Sequence, residues 1–208
     1  MQKFLFILIL LSVGRYTSAQ EVTINESFEN ITTVEINTIF SDIEIYESEG
    51  NKVTVDGYVR YSNSNQEYEI KAIKKGTTLY VSVEHPKRSK GNASGKFKLT
   101  MPAMTDVSLN TVSGNVIIQG VGQKFVKFNT VSGDVLAEKI GSNLKGNTVS
   151  GDIEVKDIKG NLKLSSISGD QSISDVDGNF DGSSISGDFR INNLKGNRNI
   201  STISGSVR

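Results

Sequence analysis

The chain has 208 residues, with 23 basic side chains against 23 acidic ones and no cysteine. That balance leaves no electrostatic footprint for nucleic acid or for an anionic membrane surface. Without cysteine, disulfides, thiol nucleophiles and thiolate metal sites are excluded, so stability must come from a packed core and from backbone ladders.

Taken in chain order, residues 1–19 read as a signal peptide. Lys3 supplies a positive start, and Phe4 to Leu11 is an unbroken apolar run too short to cross a bilayer as a helix. Thr17-Ser18-Ala19 then places small residues at the −3 and −1 positions of a cleavage site. Cleavage after Ala19 is expected, giving a chain that starts at Gln20 and is exported to the periplasm, the cell surface or the medium. No cysteine follows the apolar run, so no lipoprotein anchor is expected, and no later segment predicts a membrane span.

Residues 20–110 predict strands of uneven length at 33–37, 42–47, 52–61, 67–73, 77–84 and 96–101. The breaks are turn-formers such as Glu49-Gly50-Asn51 and Lys75-Gly76. Residues 38–45 align with 148–155 as a degenerate copy of the repeat described below. This half is therefore either an irregular start of the same architecture, with hairpin excursions, or a small antiparallel cap upon it. Tyr46, Tyr58, Tyr61, Tyr68 and Tyr80, all the tyrosines after residue 19, lie here. A tyrosine offers a flat apolar face with a polar tip, which suits a glycan or protein contact face. The competing reading is cross-strand pairing within a sheet. His85 sits among charges beside Pro86 and reads as part of a solvated basic loop.

From residue 111 to 208 the chain repeats. Ser-Gly recurs at Ser113, Ser132, Ser150, Ser168, Ser186 and Ser204, with a spacing of 19 and then of 18. We number each unit from the Thr or Ser two residues before that Ser. Apolar residues then recur at positions 2, 6, 8, 11, 15 and 17. Position 2 holds Val112, Val131, Val149, Ile167, Ile185 and Ile203, and position 6 is apolar except at Gln171. Period-two alternation and β-branched content predict strands and no helix. An 18-residue extended unit cannot bury its apolar face alone but can form one coil of a stack. The sequence thus predicts an all-β, single-stranded β-solenoid of 18-residue coils, wound as a right-handed parallel β-helix on the usual handedness of parallel crossovers. The six-residue periodicity of hexapeptide helices is absent. A second corner at Gly160-Asn161, Gly178-Asn179 and Gly196-Asn197 brings amides into register, where they can bond from coil to coil.

Asp134, Asp152, Asp170 and Asp188 follow the corner glycines and should form a column, one carboxylate per coil. Each is expected to accept backbone N–H bonds within its own turn. The metal-binding alternative is a row of weak Ca²⁺ sites, since stacked carboxylates are hard oxygen ligands. No other cofactor is expected. The serine column lacks the strand–helix setting of a hydrolase nucleophile. At the end, Arg198 stands where earlier units carry Leu144, Leu162 and Phe180, a charge placed to blunt an open edge.

The Val-Ser-Gly-Asp-Val type repeats, together with the Lys98-Leu99-Thr100-Met101-Pro102 strand that leads into them, resemble a bacterial adhesin-like domain family of unknown function over residues 30–208. The resemblance implies a β-solenoid and an exported location and supplies no catalytic residue. The expected function is a non-catalytic envelope protein, monomeric or weakly homo-oligomeric, that presents a surface to a cell-surface glycan or protein. A regulatory envelope protein and a polysaccharide-active β-helix enzyme are the alternatives. The enzyme is disfavoured because the coils are short and the charges are spread out.

Overall fold

The computed structural model describes residues 20–62, 67–84 and 92–208. The expected signal peptide and His85 lie outside the described residues. Every regular element among those residues is a strand: β1 (Gln20–Glu29), β2 (Thr33–Asn37), β3 (Ser41–Glu47), β4 (Lys52–Tyr61), β5 (Glu69–Lys75), β6 (Thr78–Glu84), β7 (Ala93–Met101), β8 (Asp106–Ser113), β9 (Val116–Gln119), β10 (Phe125–Ser132), β11 (Val135–Ile140), β12 (Asn143–Ser150), β13 (Ile153–Ile158), β14 (Leu162–Ser168), β15 (Gln171–Val176), β16 (Phe180–Ser186), β17 (Phe189–Leu194) and β18 (Arg198–Ser204). They form two nine-stranded sheets. Sheet A runs β1-β4-β7-β3-β9-β11-β13-β15-β17, and sheet B runs β18-β16-β14-β12-β10-β8-β2-β6-β5.

Each repeat gives one strand to each sheet, so the 18-residue unit is one coil of a flattened β-solenoid. Positions 6 to 11 lie in sheet A, and position 15 to position 3 of the next unit lie in sheet B. Coil-to-coil pairing is parallel and in register: Val116, Val135, Ile153, Gln171 and Phe189 share one row. Val107, Val126, Leu144, Leu162 and Phe180 share another. The coil β2–β3 continues the stack, since Val34 pairs with Val107 and Ile43 with Val116.

At this end spatial order departs from chain order. β6 and β7 pair in parallel with β2 and β3 on the side away from β8 and β9. The chain therefore builds a coil outside β2–β3 and then returns across it to start the regular stack. Beyond that coil, β4 pairs antiparallel with β7 and with β1, and β5 pairs antiparallel with β6. Antiparallel strands thus close the sheets at this end, in the role that capping repeats play in solenoids.

The core is the single layer between the sheets, and alternation decides what enters it. Positions 6, 8, 11, 15 and 17 point inward, with Ile153, Val155, Ile158, Leu162 and Leu164 all buried. Volumes compensate between neighbours. Phe128 and Gly146 are in register, and a Cβ on Gly146 would lie 2.0 Å from the Phe128 ring. Gly57 opens the same kind of space beside Phe97.

Position 1 is also inward: Thr111, Thr130, Thr148, Ser166 and Ser184 are buried. The hydroxyls of Thr111, Thr130 and Thr148 each donate to the carbonyl two residues on, at 3.2 Å, and Ser166 does so at 3.0 Å. A hydroxyl satisfied this way enters a core at little cost. Position 2 therefore faces out. Val112, Val131, Val149, Ile167, Ile185 and Ile203 are between 41% and 81% exposed, although they belong to the recurring apolar set.

Gln171 breaks the inward row. It is fully buried between Ile153 and Phe189, its Nε2 reaches the Ser183 carbonyl only at 3.4 Å, and its Oε1 has no partner. An unsatisfied buried acceptor is costly, while a leucine of similar size has none. Gln171→Leu is expected to stabilise the fold by about 1–2 kcal/mol, read as an upward shift of the denaturant midpoint. A lower midpoint would mean that the amide is satisfied in solution.

Candidate functional site

The repeat builds polar columns along the corners. Asn115 N–H donates to the Asp42 carboxylate at 2.8 Å, and Asp134 N–H to the Asn115 side-chain oxygen at 3.1 Å. Asp152, Asp170, Asp188 and Ser206 continue it, each N–H donating to the carboxylate one coil before at 2.8–3.0 Å. This corrects the expectation of bonds within each turn. The Ser-Gly step points the Asp side chain along the stack, so each carboxylate ties its own coil to the next. One oxygen of each carboxylate is committed to a backbone donor. Among the described residues no three His, Cys, Asp or Glu side chains gather closely enough to hold a metal ion. The geometry therefore adds nothing to the Ca²⁺ reading.

The second corner carries the amide column expected there: Asn161, Asn179 and Asn197 N–H groups donate to the preceding Asn143, Asn161 and Asn179 side chains at 2.9–3.0 Å. On the outer face of sheet B, Asn110, Asn129 and Asn147 form a third column, each amide donating to the one before at 2.7–2.9 Å.

The last link of the Asp column is sensitive to pH. Asp188 is held below the ordinary carboxylate range, chiefly by the Ser206 N–H, with Arg208 and Arg190 acting in the same direction. Because the folded form has the lowered pKa, the link is intact at neutral pH and is lost as pH falls through that depressed value. The Ser206 amide resonance should titrate with a midpoint below about 3.9, and the Asp188→Asn variant should not titrate there. A midpoint at or above the ordinary value would contradict the link.

The five tyrosines separate into two groups. Tyr61 and Tyr68 are only 7% and 5% exposed. Their rings lie 4.7 Å apart, and Tyr68 meets Phe40 edge-on at 5.5 Å. These two are core residues at the capped end, which corrects their assignment to a contact face: alternation along β4 turns Tyr61 inward with Val59. Tyr46, Tyr58 and Tyr80 are half-exposed on outer faces. Tyr58 lies under Arg60 at 4.5 Å, Tyr46 under Lys98 at 5.7 Å, and Tyr80 under Lys75 at 5.5 Å. Tyr80 is on sheet B, away from the other two.

Tyr46 and Tyr58 share the outer face of sheet A, separated by β7. Between them β7 presents Lys96, which pairs with Glu44 at 2.6 Å, and Lys98. The result is a flat face with two aromatic rings, each beside a cation, and a bound ion pair between them. Arg198 is exposed on the last strand of sheet B, in register with Phe180.

Asp106 lies outside every motif of the repeat. This carboxylate is 6% exposed, and one of its oxygens accepts the N–H groups of Gln123, Lys124 and Phe125 at 3.0, 2.8 and 3.2 Å. It closes the one unit that is 19 residues long. That irregular spacing was the available signal.

A stack of two-strand coils with an antiparallel cap defines a β-solenoid domain. The chain belongs to the Toastrack DUF4097 family, which it matches over residues 31–208. It is similar in fold to a candidate adhesin from Bacteroides fragilis, with a TM-score of 0.54 at 16% identity over 93% of this chain and 99% of that one. A candidate cell adhesion protein from Clostridium sporogenes aligns with a TM-score of 0.44 at 13% identity, covering 92% of this chain and 100% of its own. A candidate lipid binding protein from Parabacteroides distasonis gives 0.43 at 17% identity, covering 90% and 97%. No curated protein matches the chain.

Proposed function

We propose that the protein is an exported, non-catalytic binding module of the adhesin-like kind, which holds a flat contact face toward a cell-surface glycan or protein. The observation that carries this reading is the face around Tyr46 and Tyr58, with Lys98 and Arg60 over their rings. Aromatic faces beside cations suit ligands that combine apolar patches with hydroxyl or acidic groups. The rings project from strands pinned on both sides, Tyr58 between β1 and β7 and Tyr46 between β7 and β9. Little conformational entropy is therefore lost when they engage a ligand. The adhesin-like description of the Bacteroides fragilis relative is compatible with this use. Export follows from the leader expected at residues 1–19.

The test is binding of the labelled protein to glycans, matrix proteins and envelope fractions. Saturable binding is expected, weakened at least about tenfold in a Tyr46→Ala/Tyr58→Ala variant, the range for losing central aromatic contacts. Both side chains face outward, so the variant should keep its melting temperature. Binding that the variant retains, or no saturable binding to any of these ligands, would remove the support for this face.

A further inference from the structure

The outer face of sheet B has a different character. Its strands carry three parallel columns. Position 2 forms an aliphatic stripe from Val112 to Ile203, one branched side chain per coil and all of it exposed. Position 18 is the column of Asn110, Asn129, Asn147, Ser165, Ser183 and Ser201. Position 16 places Lys127, Lys145 and Lys163 in register on three successive coils. Beyond the stripe on its other side, around the corner, lies the Asp column.

A continuous exposed row of Val and Ile is unusual on a free surface, and it has no role in the core. We propose that this stripe is the contact surface of a homodimer in which two copies pack side by side with their solenoid axes parallel. Charge selects both the occupant and the arrangement. A two-fold axis along the solenoid, centred on the stripe, sets the Lys column of each copy opposite the Asp column of the other at the same coil height. Lys145 then meets Asp152, and Lys127 meets Asp134. A two-fold axis across the coils would instead set Lys145 against Lys145.

The needed charges are available. Lys163 is paired with Asp181 and Asp170 with Arg190, but no ion pair among the described residues engages Lys127, Lys145, Asp134 or Asp152. Each of those two aspartates gives one oxygen to the corner column and keeps the other. The branched side chains recur at the coil spacing of about 4.8 Å, so the side chains of one stripe can settle between those of its copy. The contact covers roughly 500 Å² per partner at about 3.3 Å per residue along the strand. That is below the ~800 Å² of a standard stable complex, so the dimer is a weak one.

Sedimentation velocity of the protein from about 5 to about 500 μM tests this. The sedimentation coefficient should rise reversibly from the monomer value toward the dimer value. A Val131→Ser/Val149→Ser/Ile167→Ser variant should weaken association at least about tenfold with its thermal midpoint nearly unchanged, because all three side chains point to solvent. Lys145→Ala and Asp152→Asn, the latter keeping the oxygen that the corner column needs, should each weaken the dimer, and the double variant should be no weaker than either alone. A monomer throughout the range, or a dimer that the serine variant retains, would overturn the proposal. So would a wild-type monomer whose stripe binds neutral lipid vesicles and loses that binding in the serine variant, since a lipid surface would then be the occupant. Additive effects of Lys145→Ala and Asp152→Asn would overturn the parallel arrangement. The Tyr46 and Tyr58 face lies on the opposite sheet, so ligand binding there succeeds or fails independently.

Discussion

Gly151→Ala is expected to destabilise the fold by about 3–5 kcal/mol, at the upper end for a single substitution. Gly151 has φ +124, where an L side chain is strained, and a Cβ there would lie 2.2 Å from the Gly133 carbonyl oxygen and 2.7 Å from its carbon. The obstacle is backbone of the preceding coil, which cannot move without breaking the pairing on both sides. Gly76→Ala is the control. Gly76 has φ +61, and a Cβ added there would meet nothing within 4 Å, so only the local cost of a left-handed alanine applies, about 1 kcal/mol. Equilibrium urea unfolding of both variants separates the two causes. Equal losses would mean that the coils are not packed against one another at the Ser-Gly corner.

Asp106→Ala should cost about 2–4 kcal/mol, since a buried carboxylate that accepts three backbone N–H groups leaves all three unpaired when removed. Asp106→Asn keeps an oxygen acceptor and should recover a good part of the loss. The effect should be greatest at the 123–125 turn, measurable as faster amide exchange at Gln123, Lys124 and Phe125 than at the equivalent Asn143 corner. A loss under about 0.5 kcal/mol, the range of ordinary surface changes, would show that water replaces the carboxylate freely.

The repeat made the stack legible, because a fixed 18-residue period of extended residues leaves few ways to bury an apolar face. The facing of position 2 was harder to read. Apolar character at Val149 and hydroxyl character at Thr148 suggest the opposite of what alternation from Leu144 and Gly146 along β12 requires, and a threonine is welcome inside because its hydroxyl reaches the carbonyl two residues on. The Asp column was visible as a column, but its bonding between coils depends on side-chain direction at the corner, which composition does not encode. The exchange of coil order at the capped end was not legible, since which strand lies beside β2 is decided by long-range pairing of β6 and β7. Among the candidate contact residues, Tyr46, Tyr58 and Tyr80 stay on the surface, Tyr61 turns inward with the alternation of β4, and Tyr68, just before β5, is buried against Phe40 and Tyr61, which only the assembled sheets bring together.

Each repeat coil from Val112 to Ile203 shows a branched aliphatic side chain to solvent while the neighbouring hydroxyl residue faces the core. The chain has no cysteine, so single cysteines report cleanly on facing. Maleimide labelling of Val149→Cys and Thr148→Cys variants under native conditions tests it most directly. Val149→Cys should react nearly as fast as in denaturant, and Thr148→Cys should be protected by roughly a hundredfold or more, as expected of a group reached only through opening of the fold. Protection of Val149→Cys with rapid labelling of Thr148→Cys would contradict it, and would remove the exposed stripe on which the dimer rests.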